Sequence, residues 1–570
     1  MLSIAKLLLF FLSSVGIWEI IRRNTTVNVY FLPGLTIAIQ TTVLFFGGLW
    51  NLLPESAWLL YLIGFAGLVY SLQKDKSLTF LKSYLNEGFF FLAVTMCFMF
   101  FFLYGKIFVR YDNFSHWALV ARKLIEADRF PNFKDSLIMF QEYPLGSTSF
   151  VYFFSKFVGT QEYIQMLAQV YVMVASILPV FLAVRKNEIV STALIFAVTN
   201  YFFVYNVTVT SLIVDTLLPL VAMSALMYCF HYCKRGCGAA EILFVSFYLV
   251  QLMQTKNSGI FFVLLICGWT LMRMRGDMRH LLKIASVAPP FISLILWQKH
   301  CSYVFLSAAT SKHAMTIENY ITVLHDKPLY EMKTTCLEML RLSVTWKDVW
   351  LTVTLLLIIG VLIHFFAKEE QKRFVGVFVL SACLYTVYQM GTLGMYLFSM
   401  PGSEATSLAG STRYMKTIIT AILYLSLILA VRLISCSDLR KLSGIITTSL
   451  LFLCFLAHMY FSMGEIRSTF QYTEDASERI WIETVKADYE IPDGETYCIL
   501  IPKEDWGYAI FLGRYIFQTH SVDAVIVNST EDMDRISSKY ILLYDSDNFI
   551  ANKWVRDNYP EQFGNCVIVR

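Results

Sequence analysis

Residues 88–110 read GFFFLAVTMCFMFFFLYGKIFVR, and residues 111–131 continue as YDNFSHWALVARKLIEADRFP. The first stretch is apolar over a length that can cross a bilayer core about 30 Å thick, which takes about 20 residues of helix. Charged residues become frequent where this stretch ends, beginning with Arg110 and Asp112. The contrast predicts a transmembrane helix that ends at the membrane surface and is followed by a long polar segment outside the bilayer.

The same apolar character extends over most of the 570 residues. Hydrophobic residues make up 57% of the chain and charged residues 15%, and the mean hydropathy is +0.57. A water-soluble fold of this length could hardly bury so much apolar surface, so lipid must be the main solvent. The net charge of +4 is too small to indicate a nucleic-acid partner. We therefore expect an integral membrane protein.

About thirteen or fourteen transmembrane helices are expected within residues 1–464, because apolar runs of spanning length recur there. The candidates are residues 3–22, 28–50, 56–73, 88–110, 163–184, 188–206, 209–232, 239–254, 257–273, 280–297, 348–366, 374–398, 413–434 and 442–462. The first could be mistaken for a signal peptide, but Arg22 and Arg23 stand where a small-residue cleavage site would be. We interpret it as an anchor.

The loops between these helices alternate in charge. Basic residues occur in every second loop, from Arg22 and Arg23 to Arg440 and Lys441. By the positive-inside rule, these loops face the cytoplasm. The opposite side then holds the outer loops 111–161 and 298–347, the short loop 401–412, and everything after residue 464.

Residues 465–570 have the composition of a water-soluble domain. Four short runs are typical of buried strands: TYCILIP at 496–502, DAVIVN at 523–528, YILLYD at 540–545 and NCVIVR at 565–570. Helical patterns around residues 508–517 and 549–559 lie between them, which predicts a small extracytoplasmic α/β domain. No glycine-rich loop links a strand to a helix, so we expect no nucleotide site.

Twelve cysteines are scattered along the chain without a CxxC pair, and most lie in apolar segments. Cys301 with Cys336, and Cys498 with Cys566, fall in segments expected to face solvent. Either pair is a candidate disulfide if that side of the membrane is oxidising.

The outer loop 111–161 carries most of the residues that suggest chemistry. Helical spacing over residues 114–127 places Phe114, Trp117, Ala121, Leu124 and Ile125 on one face, and His116, Arg122, Lys123 and Glu126 mainly on another. That pattern describes a helix lying flat in the membrane interface. The turn EYPLG at residues 142–146 then sends the chain back toward the membrane.

Five short motifs accompany this arrangement: YDNFSHW at 111–117, DRFP at 128–131, EYPLG at 142–146, TKNSG at 255–259 and STRY at 411–414. With an acidic residue just outside a transmembrane helix and a C-terminal outer domain, they resemble the GT-C superfamily of membrane glycosyltransferases. The resemblance covers the general architecture of nearly the whole chain. It implies a polyprenyl-phosphate-linked sugar donor, a glycan, lipid or protein acceptor, and a place in the bacterial plasma membrane with the active site outside.

The sequence departs from better-known members of that superfamily in two ways. It has a single acid at Asp112 rather than an adjacent acidic pair, and it places three helices before the catalytic-type loop instead of one. One acid, with Glu142 as an optional second, supplies few oxygen ligands, so a divalent metal stays an open question. Glu142 is a candidate for binding acceptor or metal, with a solvated loop acid as the alternative.

The chemistry of such a transfer assigns roles to the other residues. An acceptor hydroxyl has a pKa far above neutral, so a carboxylate must take its proton as the sugar is attacked, and Asp112 is the candidate base. Lys256 and Arg413, at the predicted outer ends of helices, are candidates to bind the departing phosphate. His116 lies on the face of Asp112 if the helix begins early, where it could orient the base or touch the phosphate.

Further donor-site candidates are Tyr414, beside Arg413, and Lys312 with His313 in the second outer loop. Simpler roles remain open for several positions. Asp112 can cap a helix, and the cations at helix ends can extend to the lipid headgroups. Asp215 lies inside an apolar run, so we expect it to face the helix bundle or a wet cavity, with its function open.

These features favour an inverting glycosyltransferase that works on the outer face of the membrane. One alternative is a glycan polymerase or ligase that uses lipid-diphosphate donors, where basic residues dominate and a loop carboxylate is dispensable. A second is a transporter or flippase of lipid-linked glycans, which would tend to show broken helices, midplane charges and internal repeats. No repeat is evident here, and the notable charges lie at one membrane face.

Overall fold

Long apolar helices dominate the molecule. The computed structural model describes residues 2–75, 79–305, 317–462 and 476–570. The helices are α1 (Leu2–Asn24), α2 (Leu32–Leu49), α3 (Leu53–Lys74), α4 (Glu87–Leu103), α5 (Ala118–Ala127), α6 (Gly146–Val158), α7 (Glu162–Ile177), α8 (Glu188–Tyr205), α9 (Leu217–Tyr232), α10 (Ala239–Thr255), α11 (Gly259–Arg273), α12 (His280–Val287), α13 (Pro289–Val304), α14 (Ile317–Asp326), α15 (Leu329–Thr345), α16 (Lys347–Phe366), α17 (Gln371–Phe398), α18 (Gly402–Thr406), α19 (Ser411–Cys436), α20 (Leu442–Phe461), α21 (Ser477–Asp488), α22 (Tyr508–Phe517), α23 (Thr530–Arg535) and α24 (Phe549–Asn558).

Within these described ranges, nine helices are long and apolar enough to cross a membrane: α1, α2, α3, α7, α8, α16, α17, α19 and α20. The pair α12 and α13, bent by 43°, forms a tenth if it is one span. Shorter apolar helices, α4, α9, α10 and α11, occupy the four remaining predicted positions. The helical membrane class is therefore confirmed. A total of thirteen or fourteen spans stays a prediction, because it depends on whether the four shorter helices also cross.

The helices divide into central and peripheral ones. The most apolar windows of α7 and α19 are 94% and 89% buried inside the protein, whereas that of α17 is only 22% buried. Apolar side chains left uncovered on long helices need lipid as their solvent. The outward faces of α3, α16, α17 and α20 are therefore the surfaces that we expect to meet the bilayer.

Two predicted helix boundaries near the functional site are wrong. The helix predicted over residues 88–110 ends at Leu103, because Gly105 takes a left-handed φ of 75° that stops the helix. The helix predicted over residues 209–232 begins at Leu217. Residues 206–216 are buried but irregular, since the Thr216 hydroxyl bonds the Val207 backbone N–H and thereby competes with helical hydrogen bonds.

The first outer loop folds back as a helix and then re-enters the bundle. Residues 111 and 112 are helical, residues 113–117 form a π-helical turn, and α5 completes the segment. Its apolar face is covered by protein rather than lying on lipid, because Phe114 packs against Tyr508 and Tyr515 of α22. The EYPLG turn is followed by a buried helix, α6, which was not predicted within the loop 111–161.

The C-terminal residues form a small α/β domain, as the strand patterns predicted. Its four strands are β1 (Tyr497–Leu500), β2 (Val522–Val525), β3 (Tyr540–Leu542) and β4 (Val567–Val569). They are ordered β2-β1-β3-β4, with β1 parallel to both neighbours and β4 antiparallel to β3. The predicted boundary at residues 464 and 465 lies outside the described residues.

All twelve cysteines lie in described parts of the chain and are free thiols, so neither candidate disulfide forms. Cys301 is buried in α13, where its thiol donates to the Gln141 carbonyl at 3.8 Å. Cys498 lies on β1 and Cys566 beside β4, with β3 between them. Two strand spacings are about 10 Å, beyond the roughly 7 Å between Cα atoms that a disulfide tolerates.

Candidate functional site

A cavity of about 790 Å³ lies at one end of the helix bundle. Its wall is formed by the π-helical segment with Asp112 and His116, Phe140 and Tyr143, Asp215, the break between α10 and α11, the last turns of α17, and residues 404–414. Most of these parts are far apart in sequence. The fold therefore brings together Asp112, His116, Lys256, Arg413 and Tyr414, five of the residues predicted for the site.

Asp112 and Arg413 form an ion pair across the cavity. An Nη1 hydrogen of Arg413 is donated to Oδ2 of Asp112. Their side chains are 35% and 36% exposed, so ligand can reach both. Arg413 stands in the first turn of α19 and Asp112 at the start of the π-helical turn, and each therefore projects from a helix end into the opening.

Asp215 and Lys256 form a second, more buried pair beside the first. Nζ of Lys256 donates to Oδ1 of Asp215 at 2.6 Å, and the two side chains are 14% and 3% exposed. Lys256 also lies 5.1 Å from the centre of the Tyr414 ring. Burial favours a raised pKa for Asp215, but Lys256 and Arg413 outweigh it and hold that pKa below its usual value. Asp215 is therefore an anion.

His116 faces the same cavity, although its spacing placed it mainly on the polar face of the predicted helix. The π-helical turn rotates it inward, where its side chain is buried between Trp117 and Tyr143. Burial lowers the pKa of His116 to about 3, so the imidazole is neutral at pH 7. Any contact with a phosphate would come from a neutral N–H group.

Three buried polar atoms in this wall lack a hydrogen-bond partner among the described residues. They are Oδ2 of Asp215, Nδ1 of His116 and Oγ of Ser115. Buried polar atoms in folded proteins are nearly always paired, so each such atom calls for a ligand or water. Their presence beside two ion pairs distinguishes this cavity from an ordinary gap between helices.

One side of the cavity is apolar. Phe261 of α11 packs on Tyr388 of α17 with 5.0 Å between ring centres, and both residues line the cavity. Further along α17, Gly391 and Gly394 face open space, since a Cβ placed on either would meet nothing within 4 Å. Phe398, on the same helix, is 42% exposed. The opening between α11 and α17 thus continues from the charged wall along an apolar helix face.

The cavity wall does not include Glu142, another residue predicted for the site. Glu142 is half-buried, and burial raises the pKa of its carboxyl group. Lys312 and His313 lie outside the described residues. Across the ranges that are described, no three His, Cys, Asp or Glu side chains are grouped so that they could hold a metal ion.

The sequence did not predict several residues of the wall. Asp215 was expected to face the bundle or a cavity, but its pairing with Lys256 was not foreseen, and Tyr143 and Tyr388 were not considered. An acid within an apolar run was a usable signal for Asp215. Tyr143 and Tyr388 had no comparable signal, because aromatic residues are common throughout this chain.

The fold and this cavity define a helical membrane protein with a charged pocket at one end of its bundle and an α/β domain at its C-terminus. No protein-family model, curated protein or solved structure matches the chain.

Proposed function

We propose that this protein is a membrane glycosyltransferase that moves a sugar from a polyprenyl-phosphate-linked donor to an acceptor on the outer face of the membrane. The observation that carries the proposal is the convergence of two ion pairs, Asp112 with Arg413 and Asp215 with Lys256, on one cavity with an apolar side opening. Transfer of a phosphate-linked sugar needs a base for the acceptor and fixed cations for the leaving group.

Asp112 is the proposed base. Its bond with Arg413 uses Oδ2, and its side chain lines the cavity and is 35% exposed. In the reaction, the acceptor oxygen attacks the anomeric carbon while its proton passes to Asp112. The bond from that carbon to the phosphate oxygen breaks on the opposite side, so the configuration inverts.

Arg413 and Lys256 are the proposed phosphate ligands. A sugar phosphodiester carries one negative charge, and the departing lipid phosphate gains a second, so cations already in place lower the barrier. Within the described residues, these two are the lysine and arginine side chains that line the cavity, and both are partly neutralised by carboxylates. The described lining has only these two cations beside three carboxylates, Asp112, Asp215 and Glu404, and so small a number of cations favours a monophosphate donor over the lipid diphosphate of a polymerase or ligase.

The apolar side of the cavity accounts for a lipid-linked donor. A polyprenyl chain must stay in apolar surroundings while its phosphate reaches the polar end. The opening beside Gly391 and Gly394, on a helix that is largely uncovered by protein, provides such a path from the bilayer. The phosphate would then lie beside Lys256 and Arg413.

The test is transfer by purified full-length protein in lipid nanodiscs, with a panel of radiolabelled polyprenyl-phosphate sugars and acceptors from cell envelopes. Asp112→Asn should lower turnover by roughly 100- to 10,000-fold, because loss of a general base costs that much. The matched control is Asp326→Asn, an exposed acid in the second outer loop, which should keep wild-type turnover. Equal turnover in the Asp112 variant and the wild type would refute the proposal.

A further inference from the structure

The polypeptide just before Asp112 is held by the C-terminal domain as well as by the membrane bundle. Residues 104–110 lie between α4 and the helical turn and form neither a helix nor a strand. A short link of this kind would be free to move unless other groups bind its backbone. The groups that bind the backbone of this link are its fixed points, and they therefore determine the position of Asp112.

Phe108 provides the main fixed point. Its backbone N–H donates to Oε2 of Glu162 at 2.6 Å, and its carbonyl accepts from Nη1 of Arg479 at 2.6 Å. Glu162 begins α7 in the bundle, whereas Arg479 belongs to α21 in the C-terminal domain. Both backbone polar groups of one residue, four positions before Asp112, are thus bound from two different parts of the protein.

Arg479 and Glu162 also bind each other. Nη1 and Nη2 of Arg479 donate to the two carboxylate oxygens of Glu162 at 2.8 and 2.7 Å, a geometry that only the planar guanidinium can supply. The Arg479 side chain is 5% exposed and that of Glu162 is 16% exposed. Water therefore competes little with this pair.

The same domain contacts the chain on the other side of Asp112. The guanidinium of Arg479 lies 5.7 Å from the centre of the Phe114 ring. The Tyr508 hydroxyl donates to the Val109 carbonyl at 3.0 Å, and its ring packs against Phe114. The C-terminal domain thus contacts residues 108, 109 and 114, which lie on both sides of Asp112 in the chain.

We propose that Arg479 is a positioning residue, through which the C-terminal domain fixes the Asp112 carboxylate in the cavity. This inference rests on the proposed function of Asp112 as the base. Arg479 is not among the described residues that line the cavity, so we expect its effect to be on the geometry of transfer rather than on donor binding. A displacement of about 1 Å in a reacting group can lower a rate by about 100-fold.

The first measurement is hydrogen exchange of the backbone amides of full-length protein in nanodiscs, which does not depend on any activity. In Arg479→Gln, amides of residues 108–117 should exchange roughly tenfold faster or more, because local opening is no longer opposed by the arginine. Amides of β1 should exchange as in the wild type, which shows that the domain stays folded. Arg535→Gln is the matched control, since Arg535 is exposed and lies in the same domain.

The second measurement is transfer kinetics. Arg479→Gln and Arg479→Lys should both lower kcat by roughly tenfold or more with the donor KM unchanged, because neither side chain reproduces the bidentate bond. Tyr508→Phe removes only the hydroxyl that binds the Val109 carbonyl and should show a smaller effect in the same direction. This variant keeps the test valid if Arg479→Gln fails to fold.

The outcomes separate the two proposals. Unchanged exchange at residues 108–117 in Arg479→Gln and in Tyr508→Phe would overturn the positioning role. Unchanged kcat despite faster exchange would overturn it as well. A wild-type protein that transfers no sugar, with the exchange result as expected, would overturn the glycosyltransferase proposal while leaving Arg479 as the residue that orders the Asp112 segment.

Discussion

Arg413 and Asp112 are 301 positions apart in the chain and form an ion pair at the centre of the cavity. The pair links the first outer loop to the start of α19, and it joins the proposed base to a proposed phosphate ligand. This ion pair restrains both side chains, because Arg413 binds one oxygen of the Asp112 carboxylate. Binding of a donor phosphate would draw Arg413 toward the new anion and release that oxygen for the acceptor hydroxyl.

Removal of the Arg413 charge should therefore affect the chemical step. Arg413→Gln is expected to lower turnover by roughly 100- to 1,000-fold, the usual loss when one electrostatic stabiliser of a transition state is removed. Arg341→Gln, on an exposed arginine of α15, is the control and should keep normal turnover. The measurement is initial-rate kinetics in nanodiscs. A variant at position 413 that works as fast as wild type would exclude contact between Arg413 and the departing phosphate.

The buried pair of Lys256 and Asp215 should respond differently to single and double substitution. Lys256→Met leaves the Asp215 carboxylate buried without its partner, which costs about 3 to 5 kcal/mol in the free energy of unfolding. Lys256→Met combined with Asp215→Asn should recover much of that stability without recovering transfer. Thermal unfolding in detergent and transfer assays separate the two effects. Recovery of activity in the double variant would show that the pair is structural only.

His116 should make stability depend on pH. Its pKa falls to about 3 in the folded protein, below the value of about 6.5 expected when unfolded. The unfolded state therefore binds more protons between these values, and stability falls as pH drops from about 6.5 toward 3. His116→Gln should reduce this slope by up to about 1.4 kcal/mol per pH unit. Thermal unfolding across that pH range tests the effect, and an unchanged slope would contradict it.

The apolar opening beside α17 predicts a defect in donor binding alone. A side chain at Gly394 would meet no atom within 4 Å at its Cβ, so Gly394→Phe should fold normally while filling the opening. We expect the donor KM to rise by roughly tenfold or more, because the lipid chain contributes equally to binding in the ground state and in the transition state. For the same reason, kcat at saturating donor should change little. Gly376→Phe is the matched control, since Gly376 has the same free space on the same helix but lies outside the cavity wall. Equal donor KM values in the two variants would place the lipid chain elsewhere.

Local sequence was sufficient to locate most secondary structure. The fourteen apolar segments all contain helices, and the four strand patterns after residue 464 all contain strands. The reason is that a segment buried in lipid or in a small sheet must itself be apolar, whatever the rest of the chain contains. The errors at residues 104–110 and 206–216 arose where Gly105 and the hydroxyl of Thr216 overrode apolar composition.

The site itself depended on contacts that no local pattern contains. The sequence supplied the residue types and the candidates Asp112, Lys256 and Arg413, since charged groups at the ends of apolar helices are costly and conspicuous. Their pairing, the inward turn of His116, and the clamp of Glu162 and Arg479 on Phe108 exist only when segments hundreds of residues apart pack together. Hydrogen bonds and ion pairs act over about 3 Å, so distance along the chain conveys nothing about them until the helices have packed.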